Sequence, residues 1–168
     1  MGNKRQLTIT RILLFIYFII LTWVIVFKMR TDFEGFAGFR SINLIPFQAS
    51  VVINGRIDMS EIYLNIFAFV PFGIYISILK EKWNFLQKTL PIFLISLAYE
   101  TTQYILAVGV SDITDLMGNT CGGMAGILIY WLLSKLLKDN TIKAVNILAV
   151  IGTVLLTALM GVLIVFNW

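Results

Sequence analysis

Apolar residues run along this chain in five long blocks that short polar segments separate. A helix needs about 20 residues to cross the hydrocarbon core of a bilayer, and each block is roughly that long. The pattern therefore predicts five transmembrane helices. We place them at residues 7–27, 61–79, 89–108, 112–133 and 144–166.

Composition supports a membrane protein and excludes an ordinary soluble domain. Of the 168 residues, 59% are hydrophobic and only 13% are charged, with a mean hydropathy of +0.90. A core of this size could not hide so much apolar surface from water. The expected fold class is all-α, with residues 1–168 forming a single polytopic membrane domain.

The basic residues indicate the orientation of the chain in the membrane. Lys80, Lys82 and Lys88 flank the second and third predicted helices, and Lys135 and others flank the fourth and fifth. If five helices alternate, all of these lie on the side of the basic N-terminus, which the positive-inside rule assigns to the cytoplasm. The C-terminus is then expected outside. Short basic runs beside apolar blocks are a topology signal, so the net charge of +4 does not suggest nucleic acid as a partner.

The connection between the first two predicted helices is unusually apolar. Its centre reads "SINLIPFQAS", with Leu44, Ile45 and Phe47 around Pro46. We expect an external loop that lies against the outer leaflet or re-enters the membrane between helices, where irregular backbone is tolerated. The alternative is an apolar turn packed on helix ends.

Polar residues share one face on the third and fourth predicted helices. Glu100, Gln103 and Tyr104 are spaced i, i+3, i+4, and Asp115 and Asn119 follow Asp112 at steps of three and four. The short turn between these helices predicts an antiparallel hairpin. Counting outward from about Gly109 places Glu100 level with Asn119, and Gln103 within about a residue of Asp115.

The second predicted helix adds a third side to this polar region. Asn65 lies one turn inside its external end, and Pro71 permits a kink near mid-membrane. Gly118, Gly122 and Gly126 form a doubled G-x-x-x-G that favours close helix packing. We predict that the polar side chains of the three helices converge on a pocket open to the outside.

Acids inside a membrane helix are costly, at about 2.5 to 3.5 kcal/mol each on insertion scales, so function is the default interpretation. The alternative is that Glu100, Asp115, Asn65 and Asn119 only make hydrogen bonds between helices. For Asp112 the alternative is an N-cap of the fourth helix. The chain has no histidine and one cysteine, which makes zinc ligation and histidine-based triads very improbable.

Four sequence blocks resemble the VanZ-like family of small bacterial membrane proteins. They are "NLIPF" at 43–47, "EIYLNIFAFVPFG" at 61–73, "YETTQ" at 99–103 and "DITDLMGNTCGGMAG" at 112–126. The blocks span residues 42–126, and we take the family region as about 42–137. By this resemblance the binding residues would be Asn43, Asn65, Glu100, Gln103, Asp112, Asp115 and Asn119, and the structural ones Pro46, Pro71, Gly73, Gly118, Gly122 and Gly126.

The resemblance implies a plasma-membrane protein of Gram-positive-type bacteria that reduces susceptibility to glycopeptide antibiotics, teicoplanin above all. It implies no established reaction. Many relatives have an arginine shortly before the first aspartate of the last block, where this chain has Val110 and Ser111, and an acid where it has Thr114. A mechanism that needs that arginine is therefore in doubt here.

Two functions remain open from the sequence. In the first, the chain binds an envelope lipid, a lipid-linked envelope precursor or a lipoglycopeptide at the outer leaflet and needs no cofactor. In the second, it is a membrane enzyme whose Glu100, Asp115 and Asp112 act as acid and base, or hold Mg²⁺, on a lipid-linked substrate. Membrane lipids are expected partners in both. A third possibility, a proton-linked transporter or flippase, is disfavoured by five helices without an internal repeat, although a homo-oligomer could supply the missing half.

Overall fold

A computed structural model describes residues 2–26, 41–47, 52–53, 56–57, 59–107 and 110–166. These residues are mostly helical. The α-helices are α1 (Gly2–Val26), α2 (Ser60–Leu79), α3 (Phe85–Leu106), α4 (Ile113–Leu137) and α5 (Thr141–Phe166), and a short 3-10 helix (Lys138–Asn140) joins α4 to α5. Four short strands accompany them: β1 (Ser41–Asn43), β2 (Val52–Ile53), β3 (Arg56–Ile57) and β4 (Val110–Asp112).

Three helical stretches of the described chain are long and apolar enough to cross a membrane. They are Lys4–Val26, Ser60–Leu79 and Ile113–Val162, and the last contains α4 and most of α5. The helix α3 is not among them, and it carries more polar side chains, including Glu100 and Gln103. The structure thus supports a mostly helical membrane protein, and the number of five crossings stays a prediction.

The predicted helix boundaries agree closely for α2 and less well for α3. The helix α3 begins four residues before the predicted start at residue 89 because Asn84 and Gln87 form a capping box. The Asn84 side chain accepts from the Gln87 N–H at 2.9 Å, and Gln87 accepts from the Asn84 N–H at 3.0 Å. These bonds satisfy N–H groups that a helix start leaves open.

Helices α2 and α4 run parallel and form the most extensive helix contact. Gly118 lies beside Ile62 and Asn65, and one turn further along each helix Gly122 lies against Ile66. The same step brings Gly126 against Val70. A Cβ atom on Gly122 would overlap the backbone carbonyl of Ile66, so this contact is main chain against main chain. Small residues permit such close approach in membrane helices.

A core of apolar side chains joins α1 to this pair and to α3. It consists of Leu21, Ile25, Phe69, Phe72, Ile92 and Ile127. Two hydrogen bonds anchor α1 beside it: the Tyr17 hydroxyl donates to the Ala68 carbonyl at 2.6 Å, and Thr22 and Tyr99 share a hydrogen bond of 3.0 Å between hydroxyls. The core therefore fixes the positions of α3 and α4 against α1 and α2.

Helix α5 packs mainly on α1 and is held there by a buried amide. Thr10 donates to Asn146 Oδ1 at 2.9 Å, and Asn146 Nδ2 donates to the Gln6 carbonyl and side-chain oxygens at 3.0 and 2.9 Å. The N-terminal halves of α1 and α5 thus lie together. We call this end of the bundle, with Lys80, Lys82 and Lys143, the basic end, and the opposite end, with Asp112, the acidic end.

The all-α prediction missed two short strand pairs in the described part of the chain, of which the β1–β4 pair lies at the acidic end. Strand β1 pairs with β4 in parallel, with Ser41 opposite Val110 and Asn43 opposite Asp112, and β2 pairs with β3 in a hairpin. Unpaired backbone N–H and C=O groups are costly close to a membrane, and strand pairing satisfies them.

The apolar segment after α1 is partly described. Leu44 and Ile45 are 71% and 59% exposed, and Pro46 and Phe47 are exposed as well. Residues 48–50 of the predicted external segment lie outside the described residues. Insertion of this segment into the outer leaflet or between helices stays a prediction.

Candidate functional site

The candidate site is built on the turn between α3 and α4 at the acidic end. Asp112 is the N-cap of α4 and accepts from the Thr114 N–H at 2.8 Å, which confirms the capping role considered for it. The Asp112 N–H in turn donates to Glu100 Oε2 at 2.9 Å. Glu100 is 4% exposed and thus ties the interior of α3 to the first residue before α4.

Strand β1 and the segment that follows it cover the start of α4. Asn43 Nδ2 donates to Asp112 Oδ1 at 3.2 Å, and Asn43 Oδ1 accepts from the Ile45 N–H at 3.2 Å. The Phe47 N–H donates to the Thr114 hydroxyl at 2.9 Å. Asn43, Glu100 and Asp112 therefore form one hydrogen-bonded unit, a grouping that the sequence did not predict.

Asn119 lies deeper in the bundle and faces α3. Its Nδ2 donates to the Ser96 hydroxyl at 2.9 Å, and both side chains are fully buried. We predicted that Asn119 lies at the same depth as Glu100. This is wrong by about one helical turn, because Asn119 contacts Ser96, which lies one turn before Glu100 on α3. The Oδ1 atom of Asn119 is buried and has no hydrogen-bond partner among the described residues.

Gln103 turns toward α1. Its Nε2 donates to the Ile25 carbonyl at 2.9 Å, and the side chain is 1% exposed. A carbonyl can only accept, so this bond fixes which end of the amide is the nitrogen. The Oε1 atom is therefore a true acceptor, and within the described part of the chain it lacks a partner.

Asn65 and Asp115 complete the polar residues of this region, and each is 8% exposed. Asn65 lies on α2 beside Gly118, and Gly118 directly precedes Asn119 on α4. Asp115 lies one turn into α4 from Asp112. The polar side chains of α2, α3 and α4 are thus buried in the same end of the bundle, although Gln103 bonds to α1 and Asn119 bonds to Ser96.

The remaining predicted structural residues occupy two places. Gly73 lies against Gly123 of α4, so it belongs to the parallel α2–α4 contact, and Pro71 lies inside α2 and is partly buried. Pro46 is exposed beside Phe47, whose φ is 65°.

Sequence reasoning missed Ser96 and Thr114. Ser96 precedes Glu100 by four positions and therefore shares its helix face, which is the signal that could have found it. Thr114 lies two residues after the N-cap Asp112. No local feature of the sequence predicts its hydrogen bond with the distant Phe47.

The chemistry of this region is that of hydrogen-bond acceptors. Glu100 and Asp112 accept from backbone N–H groups, and Gln103 Oε1 and Asn119 Oδ1 are buried acceptors. Among the described residues no three His, Cys, Asp or Glu side chains could together hold a metal ion. The structural bonds made by Glu100 and Asp112 do not favour the enzyme interpretation, and the Mg²⁺ site of that interpretation stays a prediction.

Comparison with known proteins gives a consistent family match. The model of the VanZ/LLP1 family matches residues 14–138. Protein VanZ of Enterococcus faecium is 32% identical over 154 residues, which cover 90% of this chain and 91% of that protein. No solved structure matches. The family match begins within α1 and includes every residue of the candidate site.

Proposed function

The chain belongs to the VanZ/LLP1 family, and we propose that it is a bacterial plasma-membrane protein that lowers susceptibility to glycopeptide antibiotics, teicoplanin above all. It would do so by binding an amphiphilic ligand, either the lipoglycopeptide or an envelope lipid, through the polar residues at the acidic end. The apolar helix surfaces there, such as Leu97 and Met117, suit a tail.

The observation that carries this proposal is the pair of buried acceptors, Gln103 Oε1 and Asn119 Oδ1. A buried polar atom without a partner costs about 1 to 3 kcal/mol, so a ligand that donates to it, once the surrounding helices open to admit it, recovers that free energy. Sugar hydroxyls, amides and amines are such donors, and a lipoglycopeptide or a lipid-linked sugar carries many of them. Glu100 and Asp115 lie in the same region of α3 and α4 and would strengthen bonds to an amine.

The proposed orientation places the acidic end outside. The described basic residues Arg11, Lys80, Lys82 and Lys143 meet at the opposite end of the bundle, which the positive-inside rule assigns to the cytoplasm. The N-terminus would then be cytoplasmic and the C-terminus external. A ligand in the outer leaflet would then lie on the same side of the membrane as the candidate site.

Cysteine labelling in intact cells tests this orientation. With Cys121→Ala as background, Ser41→Cys should react with a membrane-impermeant maleimide, because Ser41 is exposed at the acidic end and precedes the apolar segment. Lys82→Cys, exposed at the basic end, should react only after the cells are opened. Labelling of Lys82→Cys in intact cells, with Ser41→Cys protected, would show that the topology is the reverse of the one proposed.

Binding to the purified protein tests the function. We expect the full chain in lipid nanodiscs to bind fluorescent teicoplanin or a lipid-linked peptidoglycan precursor more tightly than empty nanodiscs do. A glycopeptide without an acyl chain should bind more weakly to the protein, since it lacks the tail. Expression in a susceptible Gram-positive host should raise the teicoplanin concentration that stops growth. Binding of neither ligand, together with unchanged susceptibility, would contradict the proposal.

A further inference from the structure

A large cavity of about 1010 Å³ opens at the basic end of the bundle. The ends of α1, α2, α4 and α5 and the 3-10 helix surround it. Leu7 and Ile78 supply apolar wall, while Tyr130 and Thr141 supply hydroxyl groups. This cavity lies at the opposite end of the molecule from the candidate site, so nothing inferred from it rests on the proposed function.

Basic side chains dominate the rim of this cavity. Five basic residues line it against two acidic ones, Glu81 and Asp139; the basic ones are Arg11, Lys80, Lys82, Lys138 and Lys143. All five are exposed, and within the described ranges none makes an ion pair with a carboxylate. Like charges around a concave, partly apolar surface focus a positive potential into it.

Local hydrogen bonds fix the backbone that forms the cavity walls. In the turn after α2, the Lys80 N–H donates to the Ile76 carbonyl at 2.8 Å and the Trp83 N–H to the Lys80 carbonyl at 3.0 Å. Lys80 Nζ lies 5.0 Å from the centre of the Trp83 ring, which restrains it. On the other wall, the buried Thr141 hydroxyl donates to the Lys138 carbonyl at 2.6 Å.

The arrangement selects a class of ligand. A phosphate group carries negative charge and several acceptor oxygens, which match ammonium, guanidinium and hydroxyl donors. A phosphate ester also carries apolar or polyol atoms that the Leu7 and Ile78 wall can contact. The volume exceeds what a single inorganic ion fills and accommodates a glycerol phosphate head group.

We propose that this cavity, lined by Arg11, Lys80, Lys82, Lys138 and Lys143 between the ends of α1, α2, α4 and α5, is a binding site for a phosphate ester. The phosphate can belong to an anionic phospholipid of the adjacent leaflet or to a soluble phosphate compound, and the experiment separates the two sources.

The test uses the purified full chain and two probes. Native mass spectrometry in nanodiscs that contain equal phosphatidylglycerol and phosphatidylcholine reports the retained lipid, and equilibrium dialysis with radiolabelled glycerol 3-phosphate reports the soluble source. Preferential retention of phosphatidylglycerol supports the lipid arm, and saturable binding of glycerol 3-phosphate supports the soluble arm.

Charge-neutralising variants connect either signal to the cavity. Lys82→Gln with Lys143→Gln removes two rim charges, and we expect about a five-fold loss of affinity for each. The matched control, Lys4→Gln with Arg5→Gln, removes two exposed charges near the same end but outside the cavity and should leave binding unchanged. Arg11→Gln, on a different helix, guards against a local folding defect in the double variant.

Three results would overturn the proposal. They are no preference for phosphatidylglycerol together with no binding of glycerol 3-phosphate, equal losses in the cavity and control variants, and unchanged binding in both the double variant and Arg11→Gln.

Discussion

Replacing Gly122 with valine should remove the folded protein from the membrane. A Cβ atom at Gly122 would overlap the carbonyl oxygen of Ile66 and approach the Ile66 carbonyl carbon and Cα to 2.8 and 2.9 Å. These are backbone atoms, so no rotamer change can make room, and α2 and α4 must move apart. Moving the two helices apart would break the contact along its whole length, including the contacts at Gly118 and Gly126.

The expected cost is large compared with ordinary surface changes. Inserting atoms into a well-packed contact typically costs about 1 to 3 kcal/mol, and here the main chains themselves must separate. Total stabilities of folded domains are only about 5 to 15 kcal/mol, so the variant should lose most of its folded population.

Gly152→Val on α5 is the matched control for Gly122→Val. A Cβ atom at Gly152 meets nothing within 4 Å, so the same chemical change should leave the protein intact. Thermal size-exclusion chromatography in detergent measures both variants. Equal melting of Gly122→Val and the parent chain would contradict the parallel α2–α4 contact.

The pattern of apolar blocks was sufficient to predict the helices because helix length and hydropathy are local properties. The predicted range 61–79 and α2 differ by one residue at the start, and the predicted range 112–133 covers most of α4. The start of α3 was misplaced because a capping box of Asn84 and Gln87 determines it, and not the beginning of the apolar run. Polar capping signals outweigh hydropathy at helix ends.

The register of the α3–α4 hairpin could not be predicted by counting from Gly109. The turn is not symmetric: Ala107 ends α3 in the left-handed region with φ of 53°, and β4 then extends the chain to Asp112. The extended strand adds length on the α4 side only. Asn119 therefore lies at the depth of Ser96 and not at the depth of Glu100.

The contacts made by the segment after α1 depend on distant parts of the chain. Pairing of Asn43 with Asp112, and of Phe47 with Thr114, joins positions far apart in sequence, and a single sequence carries no local signal for such pairs. The burial of Glu100, Gln103, Asp115 and Asn119 was predictable because polar residues inside apolar blocks must avoid lipid. The hydrogen-bond partner of each of these residues was not predictable.

Glu100→Gln combined with Asp115→Asn should abolish the proposed protection against teicoplanin while leaving the amount of protein in the membrane unchanged. The amide oxygen of glutamine can still accept from the Asp112 N–H, so the link between α3 and α4 survives. What changes is the carboxylate character of both groups. Hydrogen bonds to charged groups contribute about 1.5 to 3 kcal/mol, so loss of one such bond should weaken ligand binding about ten- to one-hundred-fold.

Two further variants separate ligand binding from structure. Glu100→Leu removes the acceptor for the Asp112 N–H, so it should lower thermal stability as well as binding, whereas Glu100→Gln should lower binding alone. Asp139→Asn changes a carboxylate at the basic end and should affect neither teicoplanin binding nor protection. Full protection by the double variant, measured at equal membrane abundance, would show that these carboxylates serve only to connect helices. The buried oxygens of Gln103 and Asn119 would then need a different explanation, because a ligand that donates only to them would gain no charge-assisted bond.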